Sequence, residues 1–281
     1  MGNLRIMTHN VWKCDDNNAA WAARGEDCSA KARAKGFVRV YCETLPDIIG
    51  CQEMSAAMAD EIIIGMAQAG HRYALLWGRD TPILYRPDRL ELLDSDFRLY
   101  PTGFPGWEGE FNNAGTKSWC LAVFRDKTDG RKLAFMTTHL WWKSSDPASP
   151  DYQAGSDEAR THQLNTALDC LEAYRQQHDC PAMLVGDLNA EYDKPAIQSA
   201  LARGYQHAHN IAAEYADEDW GYHYCFGDGW KPYEPAPFRQ GIDHMLVRFA
   251  PEGFVRRFER YTPDYYMPLS DHSPAFADIR L

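Results

Sequence analysis

A chain of 281 residues with 45% hydrophobic side chains can bury a sizeable core without disulfides, as one large domain or two small ones. Its formal charge of −11, from 29 basic and 40 acidic residues, counts against tight nonspecific binding of polynucleotides, which requires a basic face. No apolar stretch approaches the length of a membrane span, and the eight cysteines include no C-x-x-C pair that would suggest a zinc site.

In chain order, the first strand is expected at residues 4–8, leaving no room for a signal peptide. Cys51 and Cys120 sit inside apolar runs and read as buried thiols. Together these features suggest a reducing, cytoplasmic setting. Ser29 is placed to cap a helix running to about residue 45, and a strand follows at 47–51. Ser55 is placed to cap a second helix, with Met58, Ile62, Ile63 and Met66 on one face. Further strands are expected at 73–77, 83–86, 90–93, 118–124 and 132–138. Leu164, Leu168, Leu171 and Tyr174 recur at helical spacing and predict a third helix over 157–177. A strand at 182–185 and a short helix beginning at Pro195 come next. The last strands are expected at 242–247, 254–260 and 274–279.

Many strands, with helices arriving one at a time, suggest sheets packed face to face with helices outside. No composition break divides residues 1–281, so one domain is expected. The irregular stretches 101–117, 141–156 and 214–240 are rich in Gly, Pro, Asp and aromatics, and loops of that length are usually functional.

The chemistry-bearing residues gather where strands end. Asn10 closes the first strand and Glu53, after Gln52, the second. His139 follows Thr137-Thr138. Gly186-Asp187-Leu188-Asn189 follows an apolar run, with Asp187 and Asn189 expected on one side of an extended segment. Asp243-His244 precedes another apolar run, and Ser270-Asp271-His272 precedes the last strand. Taken singly, each reads as a turn residue or cap. Two Asp-His pairs, together with Gly-Asp-x-Asn and Gln-Glu, are hard to assemble by chance. Carboxylates at several strand ends suit a hard divalent cation, and a neighbouring histidine suits proton transfer near neutral pH.

The ordered set Asn10, Gln52-Glu53, Thr138-His139, Gly186-Asp187-x-Asn189, Ile242-Asp243-His244 and Ser270-Asp271-His272 resembles the endonuclease/exonuclease/phosphatase superfamily, the deoxyribonuclease-I-like hydrolases. The resemblance runs from about residue 4 to residue 281. It implies an α+β fold, a four-layer α/β/β/α sandwich of two mainly antiparallel sheets with helices outside and the site at one end of the sheets. It implies Mg2+ or Mn2+, ligated by Glu53 with Asn10 and Asp271 close by. By the same resemblance, Asp187 would orient the attacking water or contact the metal, and Asn189 would hold a phosphate oxygen. His139 would contact the phosphate or assist the leaving group, and His272 would be the general base, oriented by Asp243. Members of the family often carry a Glu before the strand at 83–86 as the partner of the histidine matched by His139. Arg79 and Asp80 stand there in this chain, which makes Asp80 the expected substitute.

Arg160 is either a phosphate ligand or a solvated helix residue. Trp141, Trp142 and Lys143 form either a platform for a sugar, base or lipid headgroup or part of the packing against the sheet. Trp220, Tyr222, His223, Tyr224, Phe226 and Trp230 make a second aromatic cluster. Arg125, Lys127, Arg131 and Lys132 fall on one hairpin, expected to face solvent. The acidic balance favours a metal-dependent phosphoesterase acting on a phosphorylated small molecule over the alternative, a nuclease of the same superfamily. A catalytically inactive binding protein is the reading from another class.

Overall fold

Two β-sheets lie face to face in the computed structural model, which describes residues 3–13, 25, 27–215, 241–266 and 268–281. The elements are β1 (Asn3–Asn10), α1 (Ala30–Thr44), β2 (Ile48–Gln52), α2 (Ala56–Gln68), β3 (Ala74–Leu76), β4 (Ile83–Tyr85), β5 (Leu90–Leu99), β6 (Ser118–Asp126) and β7 (Lys132–His139). They continue with α3 (Ser156–His178), β8 (Ala182–Asp187), α4 (Pro195–Ala202), β9 (Gln206–His207), α5 (Ala208–Ile211), β10 (Glu214–Tyr215), β11 (Asp243–Arg248), β12 (Val255–Arg260) and β13 (Ala275–Arg280). One sheet has the order β10-β12-β13-β1-β2-β4-β3, and the other β5-β6-β7-β8-β11-β9. Both are mixed and mainly antiparallel.

The layers follow from which faces are apolar. Between the sheets, Leu4, Ile6 and Ile48 of one meet Phe124, Phe135, Met183 and Val185 of the other. The opposite face of the first sheet, with Met7, Ile49 and Leu84, is covered by Phe37 and Val40 of α1 and by Met58 and Ile62 of α2. On the second sheet, Leu121, Met136 and Leu184 pack under Leu164, Leu168 and Leu171 of α3 and Ile197 of α4. These side chains are buried throughout, each contributing about 1.5–3 kcal/mol relative to exposure. The result is an α/β/β/α sandwich.

The expected helix starts hold. Ser29 Oγ accepts from Ala32 N at 3.3 Å, and Ser55 Oγ accepts from Met58 N at 3.1 Å, caps worth about 1 kcal/mol each. The third helix has no side-chain cap, but Asp157 and Glu158 in its first turn and Arg175 and His178 in its last complement the helix dipole. Two differences from the sequence reading stand out. β5 runs on to Leu99 past a register shift at Leu92/Asp94, because it is an edge strand whose Asp94, Asp96 and Arg98 can face water. β9, α5 and β10 are two to four residues long, too short to carry a period. Beyond Tyr215, the rest of the third long loop and its aromatic cluster (Trp220, Tyr222, His223, Tyr224, Phe226, Trp230) lie outside the described residues. Cys51 and Cys120 are buried and free. Among the described residues, no helix is long and apolar enough to cross a membrane.

The sheet topology decides where strand ends fall. β1 and β2 are parallel, with Asn10 opposite Gln52, and β7 and β8 are parallel, with His139 opposite Asp187. Each sheet therefore delivers two C-terminal strand ends to the same edge of the sandwich. Antiparallel β11 sets its first residue, Asp243, opposite Asp187. Antiparallel β13 leads the preceding segment past the end of β1, where Ser270 Oγ donates to Asn10 O at 2.8 Å.

Candidate active site

Close backbone approach prepares the site. Gly186 holds φ +150°, and a Cβ there would lie 1.9 Å from Thr138 O. Only glycine lets β7 and β8 come this near just before His139 and Asp187. Glu53 and Asn189 adopt left-handed φ of 57° and 47°, a strain of about 1–3 kcal/mol each that clusters at functional sites. Gln52 ties the sheets behind the site, its Nε2 donating to Thr137 Oγ1 at 2.9 Å.

The predicted residues converge. Asn10 Nδ2 donates to Asp187 Oδ2 at 3.0 Å and to Glu53 Oε1 at 3.2 Å, so one amide bridges both sheets. His139 Nε2 lies 3.3 Å from Asp187 Oδ2 and 3.8 Å from Glu53 Oε1. His272 Nδ1 and Asp243 Oδ2 are 2.8 Å apart. The other nitrogen, Nε2, faces Asp187 Oδ2 at 3.7 Å and Asp271 Oδ1 at 4.0 Å. Ser270 Oγ accepts from His272 N at 3.1 Å and so holds the turn that presents the imidazole.

Electrostatics here are set by burial and by crowding of like charges. Burial pushes the Asp187 carboxyl up to about 7 and that of Asp271 up to about 6. Burial also acts to raise Asp243, but the charge and hydrogen bond of His272 outweigh it and hold Asp243 below its ordinary value. His272 shows the converse. Burial opposes its charge, yet Asp243, Asp187 and Asp271 together raise it well above the ordinary imidazole range. The carboxylates of this buried nest outnumber the cationic side chains around them, His272 and Lys117. Asp271 Oδ1 and Asp243 Oδ1 are buried without a hydrogen-bond partner, and Glu53, His139 and Asp187 offer ligand atoms within 4.8 Å of one another. Such a donor set, chiefly hard oxygens, fits a divalent cation.

Lysine 117 was absent from the sequence reading. It stands just before β6, whose first residue, Ser118, pairs with His139. Its ammonium is buried and its Nζ lies 2.6 Å from His139 Nε2. Burial pushes Lys117 down, while Glu53, Asp187 and Asp80 act to raise it. Burial and the adjacent Lys117 push His139 well below its ordinary value. Burial and Lys117 thus both favour the neutral form of His139, and the Lys117 amine stands beside its Nε2. The only hint in the sequence was a lone basic residue where a long loop meets an apolar strand.

Several expectations are corrected. Asp80 is not the partner of His139; its Oδ1 accepts from Lys13 Nζ at 2.9 Å. Asn189 does not extend beside Asp187. Its left-handed backbone closes an Asx turn, with Asn189 N donating to Asp187 Oδ1 at 2.9 Å. Its side-chain amide donates to Leu140 O at 3.1 Å, fastening the loop after β7. Arg160 is neither solvated nor free for phosphate. It is buried and donates to Asp157 Oδ1 at 2.5 Å and to the carbonyls of Trp141 and Lys143 at 3.2 and 2.6 Å. The tandem tryptophans divide: Trp141 is buried against Phe111, while Trp142 is 46% exposed. Lys143 folds back, its Nζ about 6 Å from both indole centroids (6.0 and 5.9 Å). Trp141 and Trp142 line a pocket of about 300 Å³ together with Lys13, Glu53, Lys117 and His139.

A four-layer sandwich with carboxylates, an Asp-His pair and a lysine at one edge is the frame of a phosphoesterase. The sequence matches the Endonuclease/Exonuclease/phosphatase family over residues 7–272, and the chain belongs to that family. No curated protein sequence matches it. Among solved structures, it is similar to an endonuclease/exonuclease/phosphatase family protein of Bacteroides thetaiotaomicron, with TM-score 0.75, 16% identity and coverage of 99% of this chain and 95% of that one. A mannosyl-6-phosphatase of the same organism superposes with TM-score 0.72 and 16% identity, covering 99% and 100% of the two chains. D. rerio TDP2 complexed with a single-strand DNA product gives TM-score 0.67 and 20% identity, with both chains covered in full (100% and 100%). At these identities the likeness establishes the fold.

Proposed function

We propose that this protein is a divalent-metal-dependent hydrolase of phosphate esters, acting on a phosphorylated small molecule with a sugar, nucleotide or lipid head. The observation that carries the reading is the convergence of Glu53, Asn10, Asp187, Asp271 and the Asp243–His272 pair from both sheets at one edge. Glu53, Asp271 and Asp187 would hold the ion, with Asn10 bridging the first and last of these. When bound, such a cation, Mg2+ or Mn2+, would neutralise charge on a phosphate oxygen and weaken the negative field that raises His272.

The chain's own groups account for the rest of the reaction. Asp243 accepts from His272 Nδ1–H and fixes the tautomer, so Nε2 is the atom that takes a proton from the attacking water. Asp187, held by Asn10 and the backbone of Asn189, keeps that water in line. Lys117 sets a fixed positive charge at the wall of the pocket, against a phosphate or leaving-group oxygen. Trp141 and Trp142 limit the size of what enters.

The small pocket and the charge of −11 support a compact substrate over a polynucleotide. The basic hairpin offers no phosphate track: Arg125 pairs with Glu91 at 2.9 Å and Lys132 Nζ donates to His178 O at 2.9 Å. The buried free thiols Cys51 and Cys120 suit a reducing compartment such as the cytoplasm. The test is hydrolysis of bis(p-nitrophenyl) phosphate and of a panel of phosphorylated metabolites with manganese, comparing wild type with His272→Ala. Full activity in excess EDTA, or in His272→Ala, overturns the mechanism. Degradation of plasmid or RNA at low enzyme concentration, lost in Asp187→Ala, replaces the small substrate with nucleic acid.

A further inference from the structure

We infer that a second cleft, between the 101–117 loop, the 141–155 loop and the start of α3, is a binding site for a neutral saccharide. It encloses about 780 Å³, larger than the pocket at the catalytic residues. That is room for roughly two hexose-sized rings by the usual dimensions of ligand sites. Trp107 and Tyr152 stand in its wall 40% and 44% exposed. Exposed aromatic faces are the natural platform for the C–H face of a pyranose ring.

The platform is built in advance. Trp107 lies directly on Gly155, where a Cβ would come 2.5 Å from the indole atom Cε3; the φ of +83° there favours glycine as well. Phe104 backs the arrangement, 6.4 Å from Trp107 between centroids and stacked on His162 at 5.5 Å with 19° between the rings. A ligand therefore need not order the wall it binds, which lowers the cost of association.

The polar groups select the class of ligand. None of the described lining residues is a lysine or arginine, which disfavours a phosphate, a nucleotide or an acidic peptide. Of the two carboxylates in the lining, Asp157 is already engaged, Oδ1 by Arg160 at 2.5 Å and Oδ2 by Ser145 at 2.7 Å, which leaves Glu158 as the other acid. Asn165 accepts from Arg203 Nη1 at 3.0 Å through Oδ1, which orients its amide. Thr161 Oγ1 donates to Asp157 O at 2.7 Å and so can only accept from a ring hydroxyl, whereas the oriented Asn165 amide can donate to one. A quaternary ammonium would instead need aromatic faces on several sides.

Arg160 joins this cleft to the catalytic pocket. Its guanidinium reaches Asp157 on one side and the carbonyl of Trp141, which lines the catalytic pocket, on the other. The saccharide is thus either a glycosyl extension of the phosphorylated substrate or a separate glycan that tethers the enzyme. Both present the same ring chemistry.

The experiment titrates the full chain with phosphate-free probes, methyl glycosides and disaccharides of the common hexoses and N-acetylhexosamines, by ligand-observed NMR and calorimetry. Saturable binding is expected, weakened at least about tenfold in Trp107→Ala, with hydrolysis of bis(p-nitrophenyl) phosphate unchanged. Binding is also expected to persist in His272→Ala, so a failed catalytic assignment leaves this readout intact. If kcat/KM for a glycosyl phosphate falls in Trp107→Ala, the sugar is a substrate extension; binding without that change makes it a tether. Asn165→Ala serves as the second variant should Trp107→Ala fail to fold. No binding of any probe to wild type, equal binding in the variants, or preference for choline-type cations over saccharides overturns the inference.

Discussion

Asp243 opens a strand of one sheet and His272 stands just before a strand of the other, yet Oδ2 of the first lies 2.8 Å from Nδ1 of the second, with both side chains buried. The pair therefore exists only when the two sheets are packed, and it fixes which imidazole nitrogen faces Asp187 and Asp271. Asp243→Asn keeps the size of the side chain and removes its charge. We expect kcat on bis(p-nitrophenyl) phosphate to fall by roughly 10²–10⁴-fold. Steady-state kinetics at saturating manganese, alongside circular dichroism to confirm folding, check this.

The sequence offers Asp80 as the support of His139, but the structure sets Lys117 there, its Nζ 2.6 Å from His139 Nε2. Lys117→Met should lower kcat/KM by roughly 10²-fold through loss of a fixed cation at the pocket wall. Asp80→Asn, which loosens the contact with Lys13 and removes one of the weaker charges acting on Lys117, should change it by less than about threefold. Equal effects in the two variants would return Asp80 to the role the sequence suggested.

Removal of metal should silence the enzyme. We expect EDTA to abolish turnover and added magnesium or manganese to restore it. In Glu53→Gln, the metal concentration for half-maximal activity should rise at least about tenfold. An independent measure is thermal: manganese should raise the Tm of wild type and have little effect on that of Glu53→Gln.

His244, next to Asp243 in β11, supplies a stability prediction. Its Nε2 donates to Ala190 O at 2.7 Å, its Nδ1 lies 3.0 Å from His207 Nε2, and burial pushes it down from 6.5 to about 4. The unfolded chain takes a proton here below pH 6.5, whereas the folded chain does so only near pH 4. This contribution to stability is complete above pH 6.5 and is lost as pH falls from 6.5 toward 4. In His244→Gln, urea unfolding across that window should depend on pH less steeply, by about 1.4 kcal/mol per pH unit, the equivalent of one proton. Identical slopes would mean that His244 is charged in the folded protein.

Much of the architecture was legible because it rests on local chemistry. Ser29 and Ser55 cap their helices, Pro195 opens a third, and Leu164, Leu168 and Leu171 mark the buried face of α3. β9 and β10 were not legible, since strands of two residues exist only through the neighbours they pair with. Asn189 was misplaced because alternation assumes an extended backbone, and Asp187 turns the chain instead.

By itself, then, the sequence determined which side chains stand at strand ends, because apolar runs and turn residues are properties of adjacent positions. Only the tertiary structure decided their partners. Parallel pairing of β1 with β2 and of β7 with β8 brings the strand ends to one edge, and face-to-face packing closes Asn10 on Asp187 and Asp243 on His272. It also swung Lys117 in beside His139 and drew Arg160 out of solvent. Charge, burial and distance between residues remote in the chain depend on how sheets stack, and no local pattern encodes them.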